Sequence, residues 1–191
     1  DFAVRPIRVE VVNDEYGKES FQVRLYYRGP LRRGGDPRSI RLDVTRDEVL
    51  VFPAVRRPIL HPYSDARAGD EVEVSCYDLL EMLTEKTRAL AGQRQYAISR
   101  DLYDIAQLVG RQRVNPAGVA EGLPRKLAAK GLAASVVDLD RVRRRQEEFR
   151  ADWERNLVHL LPPEVTMPFD DAWATTMEFL ASVNKALRVK G

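Results

Sequence analysis

The sequence has few of the residues that stabilise secreted or membrane proteins. Its single cysteine, Cys76, excludes an internal disulfide and fits a reducing compartment, so we expect the protein in the cytoplasm. No apolar run approaches the roughly 18 residues that a membrane-spanning helix requires, so we expect no membrane partner. The two histidines, His61 and His159, each lack a second ligand at metal-binding spacing, so a zinc site is not expected.

Net charge is also nearly absent. The formal charge of +2 gives no field strong enough to indicate a polyanionic partner. Arginine supplies most of the 31 basic side chains, and its planar guanidinium suits phosphate better than the ammonium of lysine. A GC-rich genome would give the same bias without functional meaning, so both interpretations stay open.

What the sequence does contain is two regions with different hydrophobic periods. Up to about Ser75, apolar residues alternate with polar ones in three segments, at Ile7, Val9 and Val11, at Phe21, Val23, Leu25 and Tyr27, and at Ile40, Leu42 and Val44. This period of two predicts three strands, each with one buried face. Turn residues between Gly29 and Pro37 predict a hairpin joining the second and third strands, and residues 71–74 are predicted to form a further short strand.

From Ser75 onward the period is that of helices. Capping and helix-breaking residues predict a helix from a capping box of Ser75 and Asp78 to Gly92, one from Ser99 to Gly110, and one from Asn115 that Pro124 interrupts. A long helix with Val142, Phe149, Trp153, Leu157 and Leu160 on one face should follow, and then a last helix from about Asp170. The protein is therefore predicted to be α+β, with a sheet region at 1–75 and a helical lobe at 76–191.

The first predicted helix carries a lysine where an apolar residue is expected. At about 100° per residue, Lys86 falls in the same narrow stripe as Leu83 and Leu90. A buried ammonium destabilises the fold unless it meets an anion. Two interpretations follow: Lys86 reaches out to a surface carboxylate, or it enters a polar site inside the protein.

Three aspartates are candidates for that site. Asp101 lies at the edge of the apolar arc of the second helix, and Asp104 lies one step further round. Asp101 also occupies the first helical turn, where the helix dipole favours a negative charge without any further role. Asp43 lies on the strand face opposite Leu42 and Val44, so it points either to solvent or into a cleft.

Carboxylates on a sheet with a lysine reaching in are what nucleotidyl transfer requires. Two or three carboxylates hold a divalent metal, which bridges the triphosphate and lowers the pKa of the attacking hydroxyl. A cation then neutralises charge on the phosphates. Carboxylates on strands are common, so this pattern by itself is only moderately specific.

Two short motifs carry a more specific signal. Residues 85–90 (EKTRAL), followed by residues 100–105 (RDLYDI), resemble the paired signature of AbiEii-type nucleotidyltransferase toxins. Residues 40–44 (IRLDV) resemble the strand of the family's third carboxylate. The resemblance spans roughly residues 41–187 and includes the aromatic helical tail, with Trp153, Phe169 and Trp173. It implies a polymerase-β-like nucleotidyltransferase fold with a small mixed sheet and a C-terminal helical bundle.

The resemblance also implies roles for individual residues. Lys86 would contact the nucleotide phosphates, and Arg100 and Asp104 would be further nucleotide-binding residues. Asp101 would be the catalytic aspartate, and Asp43 the third carboxylate. An NTP would be the substrate and Mg²⁺ or Mn²⁺ the cofactor. RNA, in particular the 3′ end of tRNA, would be the acceptor, and a cognate antitoxin protein would be the inhibitor.

The beginning of the chain departs from the family pattern. Such proteins carry an early glycine turn and then a strand that ends in Asp-x-Asp-Phe, and neither is complete here. Asp1-Phe2 resembles the tail of that motif, which would make Asp1 a catalytic, metal-binding carboxylate beside Asp43. We therefore expect the N-terminal part of the fold to be incomplete in this sequence. The alternative function is a catalytically inactive nucleotidyltransferase-like scaffold that binds a partner protein or RNA.

Overall fold

A computed structural model describes residues 4–13, 19–29, 31, 34–45, 48–60, 72–91, 96–132 and 137–190. The chain divides into two compact units, Asp1–Val49 and Leu50–Gly191. We call them the sheet unit and the helical unit. The change of period at Ser75 falls inside the helical unit, which therefore includes two short strands besides its helices.

The described residues of the sheet unit form three antiparallel strands, β1 (Arg8–Asn13), β2 (Glu19–Tyr27) and β3 (Arg38–Thr45), in the order β1-β2-β3. The predicted β2–β3 hairpin is confirmed by their antiparallel register. Gly35 has a φ of 101°, a backbone conformation that glycine adopts without steric strain. The described strands pair only in antiparallel fashion, so the expected mixed sheet is not what these residues form.

The predicted burial of the strand faces was wrong. Val9, Val23 and Leu42 lie opposite one another across the sheet, as do Val11, Phe21 and Val44, so the alternation does place the apolar residues on one face. The apolar side chains of β1 and β3 are nevertheless exposed, and those of β2 are only half-buried. The reason is that the described part of the sheet unit supplies no second layer over this face. Alternation identifies an apolar face but does not show that anything covers it.

The helical unit begins with a two-stranded antiparallel sheet, β4 (Val55–Pro58) and β5 (Glu73–Cys76). The sequence pattern did not predict β4, and the further strand expected at 71–74 lies two residues later. Helix α1 (Leu79–Ala91) follows and ends where predicted. Its cap is Asp78, whose carboxylate accepts a hydrogen bond from the backbone N–H of Leu80 at 2.8 Å. Ser75 cannot be the predicted cap because it belongs to β5.

Helices α2 (Ser99–Arg111) and α3 (Pro116–Ala129) come next. Asn115 caps α3 by accepting a hydrogen bond from Ala117 N at 3.0 Å, as its position predicts. Pro124 lies inside α3 without interrupting it, which contradicts the sequence-based expectation. The buried face of α3 includes Leu123 and Leu127 on either side of the proline, and this packing outweighs the hydrogen bond that proline removes.

The predicted long helix is broken into α4 (Leu139–Arg144), α5 (Gln146–Asp152), a π-helix (Trp153–Leu157) and a 3-10 turn (Val158–Leu160). Its apolar residues are buried up to Leu157, but Leu160 is exposed. The wider i to i+5 hydrogen bonding of the π-helix rotates the residues that follow it, so Leu160 leaves the face that a continuous α-helix would bury.

The last helix, α6 (Phe169–Lys190), follows a second 3-10 turn (Pro163–Val165) and confirms the predicted C-terminal helix. It packs against α2 and α3, and α1 packs against both of those helices. The main core of the unit lies between these elements and includes Leu83, Leu102, Ile105, Leu123, Leu180 and Val183. None of the described helices is long and apolar enough to cross a membrane.

Candidate active site

Lys86 lies on the face of α1 that packs towards α2. Leu83, one turn earlier, is fully buried and Leu90, one turn later, is nearly so. The Lys86 side chain is 25% exposed, so it is neither a core residue nor a fully solvated one. The helical stripe therefore predicted its direction correctly.

Two carboxylates of α2 meet this ammonium. Lys86 Nζ lies 2.7 Å from Oδ1 of Asp101 and 2.8 Å from Oδ2 of Asp104. The Asp101 side chain is 7% exposed and the Asp104 side chain 33% exposed, so the site runs from the core to the surface. The contact expected between Lys86 and Asp101 is present, and Asp104 adds a second carboxylate to it.

The two carboxylates determine the charge of Lys86. Burial alone would lower the pKa of its ammonium, because a desolvated cation is disfavoured. Hydrogen bonds to Asp101 and Asp104, with their negative charges, outweigh burial and raise the pKa above its usual range. Lys86 is therefore positively charged at neutral pH.

Within the described residues, Lys86 Nζ contacts these two carboxylates, which leaves part of the ammonium available to a ligand. An ammonium has three N–H donors, and Asp101 and Asp104 accept hydrogen bonds from two of them. The third can point to the partly exposed side of the site, where an oxyanion would find a fixed cation. Arg100, in the first turn of α2, has an exposed side chain beside Asp101 in the sequence. The described geometry thus suits the binding of a phosphate-bearing ligand.

The first turn of α2 is fixed by a residue from elsewhere in the chain. Ser99 was expected to cap this helix, but it is the first helical residue, and Ile98 at the capping position makes no side-chain cap. The backbone N–H of Ser99 instead donates a 2.7 Å hydrogen bond to Oδ2 of Asp152, at the end of α5. The cap prediction was wrong because it considered only neighbouring residues.

A second charged cluster lies deeper in the helical unit. Lys126 Nζ lies 2.6 Å from Oε1 of Glu81 and 3.3 Å from Oε2 of Glu85. Arg88 Nη2 lies 2.6 Å from Oε1 of Glu85. Burial would raise the pKa of Glu85, but the hydrogen bond and charge of Arg88, helped by Lys126, lower it below its usual range. We call these four residues the buried cluster.

The buried cluster also holds the first residues of the helical unit. Oε2 of Glu81 accepts hydrogen bonds from the backbone N–H groups of Val51 at 3.0 Å and Phe52 at 2.9 Å. Gly122 of α3 leaves room for this segment, since a Cβ there would lie 2.8 Å from the side chains of Val51 and Phe52. Segment 51–52 is therefore fixed between α1 and α3.

Asp43 belongs to the sheet unit and has contacts of its own there. Its side chain is 64% exposed, and it lies 3.5 Å from Arg41 Nη2 and accepts a 3.2 Å hydrogen bond from Gln22 Nε2. These are the contacts of a solvent-exposed carboxylate, which is one of the two directions that the sequence left open for Asp43. Asp1 lies outside the described residues. Within the described ranges, no three His, Cys, Asp or Glu side chains come together in a way that could hold a metal ion.

A family model described as "Nucleotidyl transferase AbiEii toxin, Type IV TA system" matches residues 2–175 of the 191. The chain belongs to the AbiEii nucleotidyltransferase toxin family. No curated protein and no solved structure matches the chain. Membership in the AbiEii family confirms the resemblance found in the two motifs.

AbiEii membership gives the class of activity and one kind of partner. The family is one of nucleotidyltransferase toxins, and a type IV toxin–antitoxin system implies an antitoxin. The matched residues include Lys86, Arg100, Asp101 and Asp104, as well as Asp43 in the sheet unit. The small antiparallel sheets and the helices are compatible with a nucleotidyltransferase of this family.

Sequence reasoning missed three charged residues that the AbiEii structure buries, Glu81, Arg88 and Lys126, and the partly buried Asp152 at the end of α5. A signal for Lys126 was available, because it follows Val119 by seven residues and so lies on the same helical face as that buried side chain. Glu81 and Glu85 are four residues apart on α1, and two like charges at that spacing indicate a nearby cation. The contact of Asp152 with Ser99 joins residues 53 apart and has no local signal.

Proposed function

We propose that this AbiEii protein transfers a nucleoside monophosphate from an NTP to an RNA acceptor, with the 3′ end of tRNA as the expected acceptor. The observation that carries the proposal is the Lys86 site, where one ammonium with a raised pKa contacts two carboxylates at 2.7 and 2.8 Å. Both sides of this contact come from the EKTRAL and RDLYDI segments, so the two motifs form one site rather than two.

In this proposal Lys86 binds the triphosphate. Its fixed charge offsets the negative charge of the phosphate oxygens, and this charge grows on the leaving pyrophosphate during transfer. Asp101, being the more buried partner, orients the ammonium from the core side. Asp104 and Arg100 lie nearer to solvent, where they can contact the nucleotide as it enters. The same pair of carboxylates keeps Lys86 protonated through the reaction.

The reaction has simple bond changes. A hydroxyl oxygen of the acceptor forms a bond to the α-phosphorus of the NTP, and the bond from that phosphorus to the bridging oxygen breaks. Pyrophosphate leaves and the hydroxyl proton is lost to solvent. Since little covalent chemistry falls to the protein, positioning and charge carry catalysis, and Lys86 with its two carboxylates supplies both.

We further propose that the activity depends on Mg²⁺ or Mn²⁺, with Asp1 and Asp43 as its protein ligands. Held by these carboxylates, such an ion would offset phosphate charge and lower the pKa of the attacking hydroxyl. Asp43 is the member of this pair that the structure describes, and its exposed carboxylate is the kind of oxygen ligand that Mg²⁺ takes. Its present contacts with Arg41 and Gln22 are exposed, so they can be exchanged for an ion at little cost.

The central test is transfer from NTPs radiolabelled at the α-phosphate to purified tRNA. Wild-type protein should label the RNA, and Lys86→Ala should lose the activity by orders of magnitude. Lys86→Arg keeps the charge and the pairing with Asp101, so it separates loss of the cation from loss of its geometry. Lys185→Ala removes an exposed lysine of α6 and serves as the matched control. Full activity of Lys86→Ala would contradict the phosphate-binding role.

A metal titration tests the second part of the proposal. Asp43→Asn should slow transfer strongly at every Mg²⁺ or Mn²⁺ concentration, with partial recovery at most. Asp36→Asn, which changes another exposed aspartate of the sheet unit, is the matched control. Unchanged kinetics of Asp43→Asn would leave Asp43 as a surface charge. If wild-type protein labels no RNA with any NTP or metal, the inactive scaffold is the better description of the chain.

A further inference from the structure

Asp152 joins the end of α5 to the beginning of α2. Its Oδ2 accepts the 2.7 Å hydrogen bond from Ser99 N, and its Oδ1 accepts one from Nδ2 of Asn156 at the same distance. Burial would raise the pKa of Asp152, but hydrogen bonds from the hydroxyl and backbone N–H of Ser99, and then Asn156, lower it. The carboxylate is therefore ionised at neutral pH and engaged on both oxygens.

The position of Asp152 is fixed by the residue that follows it. Trp153, the first residue of the π-helix, is buried, and its ring packs edge-on against Tyr103 of α2 at a centroid distance of 5.9 Å. Tyr103 in turn donates a 3.0 Å hydrogen bond to the carbonyl of Val165. The start of α2 thus has a rigid support, and π-helices are found preferentially at functional sites.

The first turn of α2, which Asp152 supports, carries Asp101 of the Lys86 site. Asp101 follows Ser99 by two residues, and Ile98 before it provides no side-chain cap. The N–H of Asp101 bonds the carbonyl of Ile98 at 3.1 Å, so the N–H that Asp152 satisfies is the one at the very start of the turn. A helix start whose backbone N–H groups lack partners frays. A negative charge at this end also meets the positive end of the helix dipole. Without Asp152, the N–H of Ser99 would lose its acceptor at the start of the turn that presents Asp101 to Lys86.

We propose that Asp152 is a positioning residue of the transferase site, whose carboxylate caps α2 and thereby holds Asp101 against Lys86. This proposal rests on the proposed function, since it assigns Asp152 to the same site. Asp152 itself would contact no reacting group. It acts through the geometry of Asp101, and a displacement of about 1 Å in such a group is enough to slow an enzyme about a hundredfold.

The test compares four proteins at a temperature where all are folded: wild type, Asp152→Ala, Asp152→Asn and Asp171→Ala. Asp171 is an exposed aspartate of α6 and provides the matched control. Asp152→Ala should lower kcat/KM by about tenfold to a hundredfold, and Asp152→Asn by less, because the amide oxygen still accepts from Ser99 N. Amide hydrogen exchange in residues 99–101 should become faster in Asp152→Ala, less so in Asp152→Asn, and should not change in Asp171→Ala.

A rescue variant separates capping from other roles. Ile98→Asp places a carboxylate at the capping position itself, so the double variant with Asp152→Ala should regain slow exchange and most of the lost activity. Wild-type kcat/KM in folded Asp152→Ala, unchanged exchange there, or restored exchange without restored activity would each overturn the proposal.

A readout without turnover keeps this result distinct from the transferase proposal. NMR titration of the Lys86 side chain reports its contact with Asp101, and Asp152→Ala should bring its raised pKa back towards the ordinary value. An unchanged titration contradicts the positioning role whatever the activity. An inactive wild type in which Asp152→Ala does shift the titration contradicts only the transferase function.

Discussion

Asp43 of the sheet unit and Asp101 of the helical unit both lie close to a cation, but in different surroundings. Oδ2 of Asp43 lies 3.5 Å from Nη2 of Arg41, and the two side chains are 64% and 58% exposed. Oδ1 of Asp101 lies 2.7 Å from Nζ of Lys86, and the two side chains are 7% and 25% exposed. Water screens the first pair strongly and the second weakly. The same chemical pairing is therefore an exchangeable surface contact in one unit and a fixed part of the structure in the other.

The buried cluster continues this trend. Glu81 and Lys126, at 2.6 Å, have side chains only 2% and 4% exposed. The Lys126 ammonium lies close to Oε1 of Glu81 but is not directed at it as a hydrogen-bond donor. The attraction between the opposite charges therefore holds the contact. Removal of one partner should therefore lower the free energy of unfolding most for the Glu81–Lys126 pair, less for the pair of Lys86 and Asp101, and least for the pair of Asp43 and Arg41.

The largest loss of stability is expected for Lys126→Met. Removal of the ammonium leaves Glu81 charged in the core, and breaking a buried pair in this way costs about 3–5 kcal/mol. The measurement is the free energy of unfolding from urea denaturation, with Lys185→Met as the control on an exposed lysine. Glu81→Gln combined with Lys126→Met removes both charges and should recover part of the loss. A loss below about 1 kcal/mol in Lys126→Met would show that the cluster is solvated.

A smaller and pH-dependent effect is expected at Lys86. Its folded-state pKa is raised above the ordinary value of 10.5, so the stability that it contributes is fully present below that pH and is lost as pH rises through the folded pKa. Lys86→Met should lower the free energy of unfolding by about 1–3 kcal/mol at neutral pH, since Asp101 loses a charged partner. Urea denaturation of both proteins should show this difference shrinking above pH 10.5.

A difference between the two proteins that is constant with pH would contradict this account. It would mean that the methionine changes packing near Leu83 and Leu90 rather than charge. Lys86→Arg is the control for packing, because it keeps the charge with Asp101 and should retain most of the stability at neutral pH.

The direction of Lys86 could be predicted from the sequence because a helix has a fixed period. Its contact with Asp101 could be predicted from the helical periods of α1 and α2 together with the paired EKTRAL and RDLYDI motifs. The same rule would have found Lys126, which shares a helical face with Val119. What governs these predictions is backbone geometry over one or two turns, which a sequence shows directly.

Other features depend on which elements pack against each other, and the periodicity of a sequence does not contain that information. The apolar face of the strands was predicted correctly, but its burial was not, because burial requires a covering layer. The caps of α1 and α2 were misplaced, since Ser75 belongs to a strand and Ser99 is bound by a residue 53 positions away. The continuous helix expected through Leu160 fails because a π-helix changes the phase. A role for Asp1 stays a prediction, since it lies outside the described residues.

The smallest effect on stability is expected for Asp43. A double-mutant cycle of Asp43→Ala and Arg41→Ala should give a coupling energy of about 1 kcal/mol or less, because both side chains are exposed. The corresponding cycle of Asp101→Ala and Lys86→Ala should give a clearly larger one. If Asp43→Asn also abolishes transfer while leaving the free energy of unfolding unchanged, its carboxylate serves the reaction and not the fold. A strong coupling between Asp43 and Arg41 would instead mean that the pair is shielded from water, and the contrast between the two units would no longer hold.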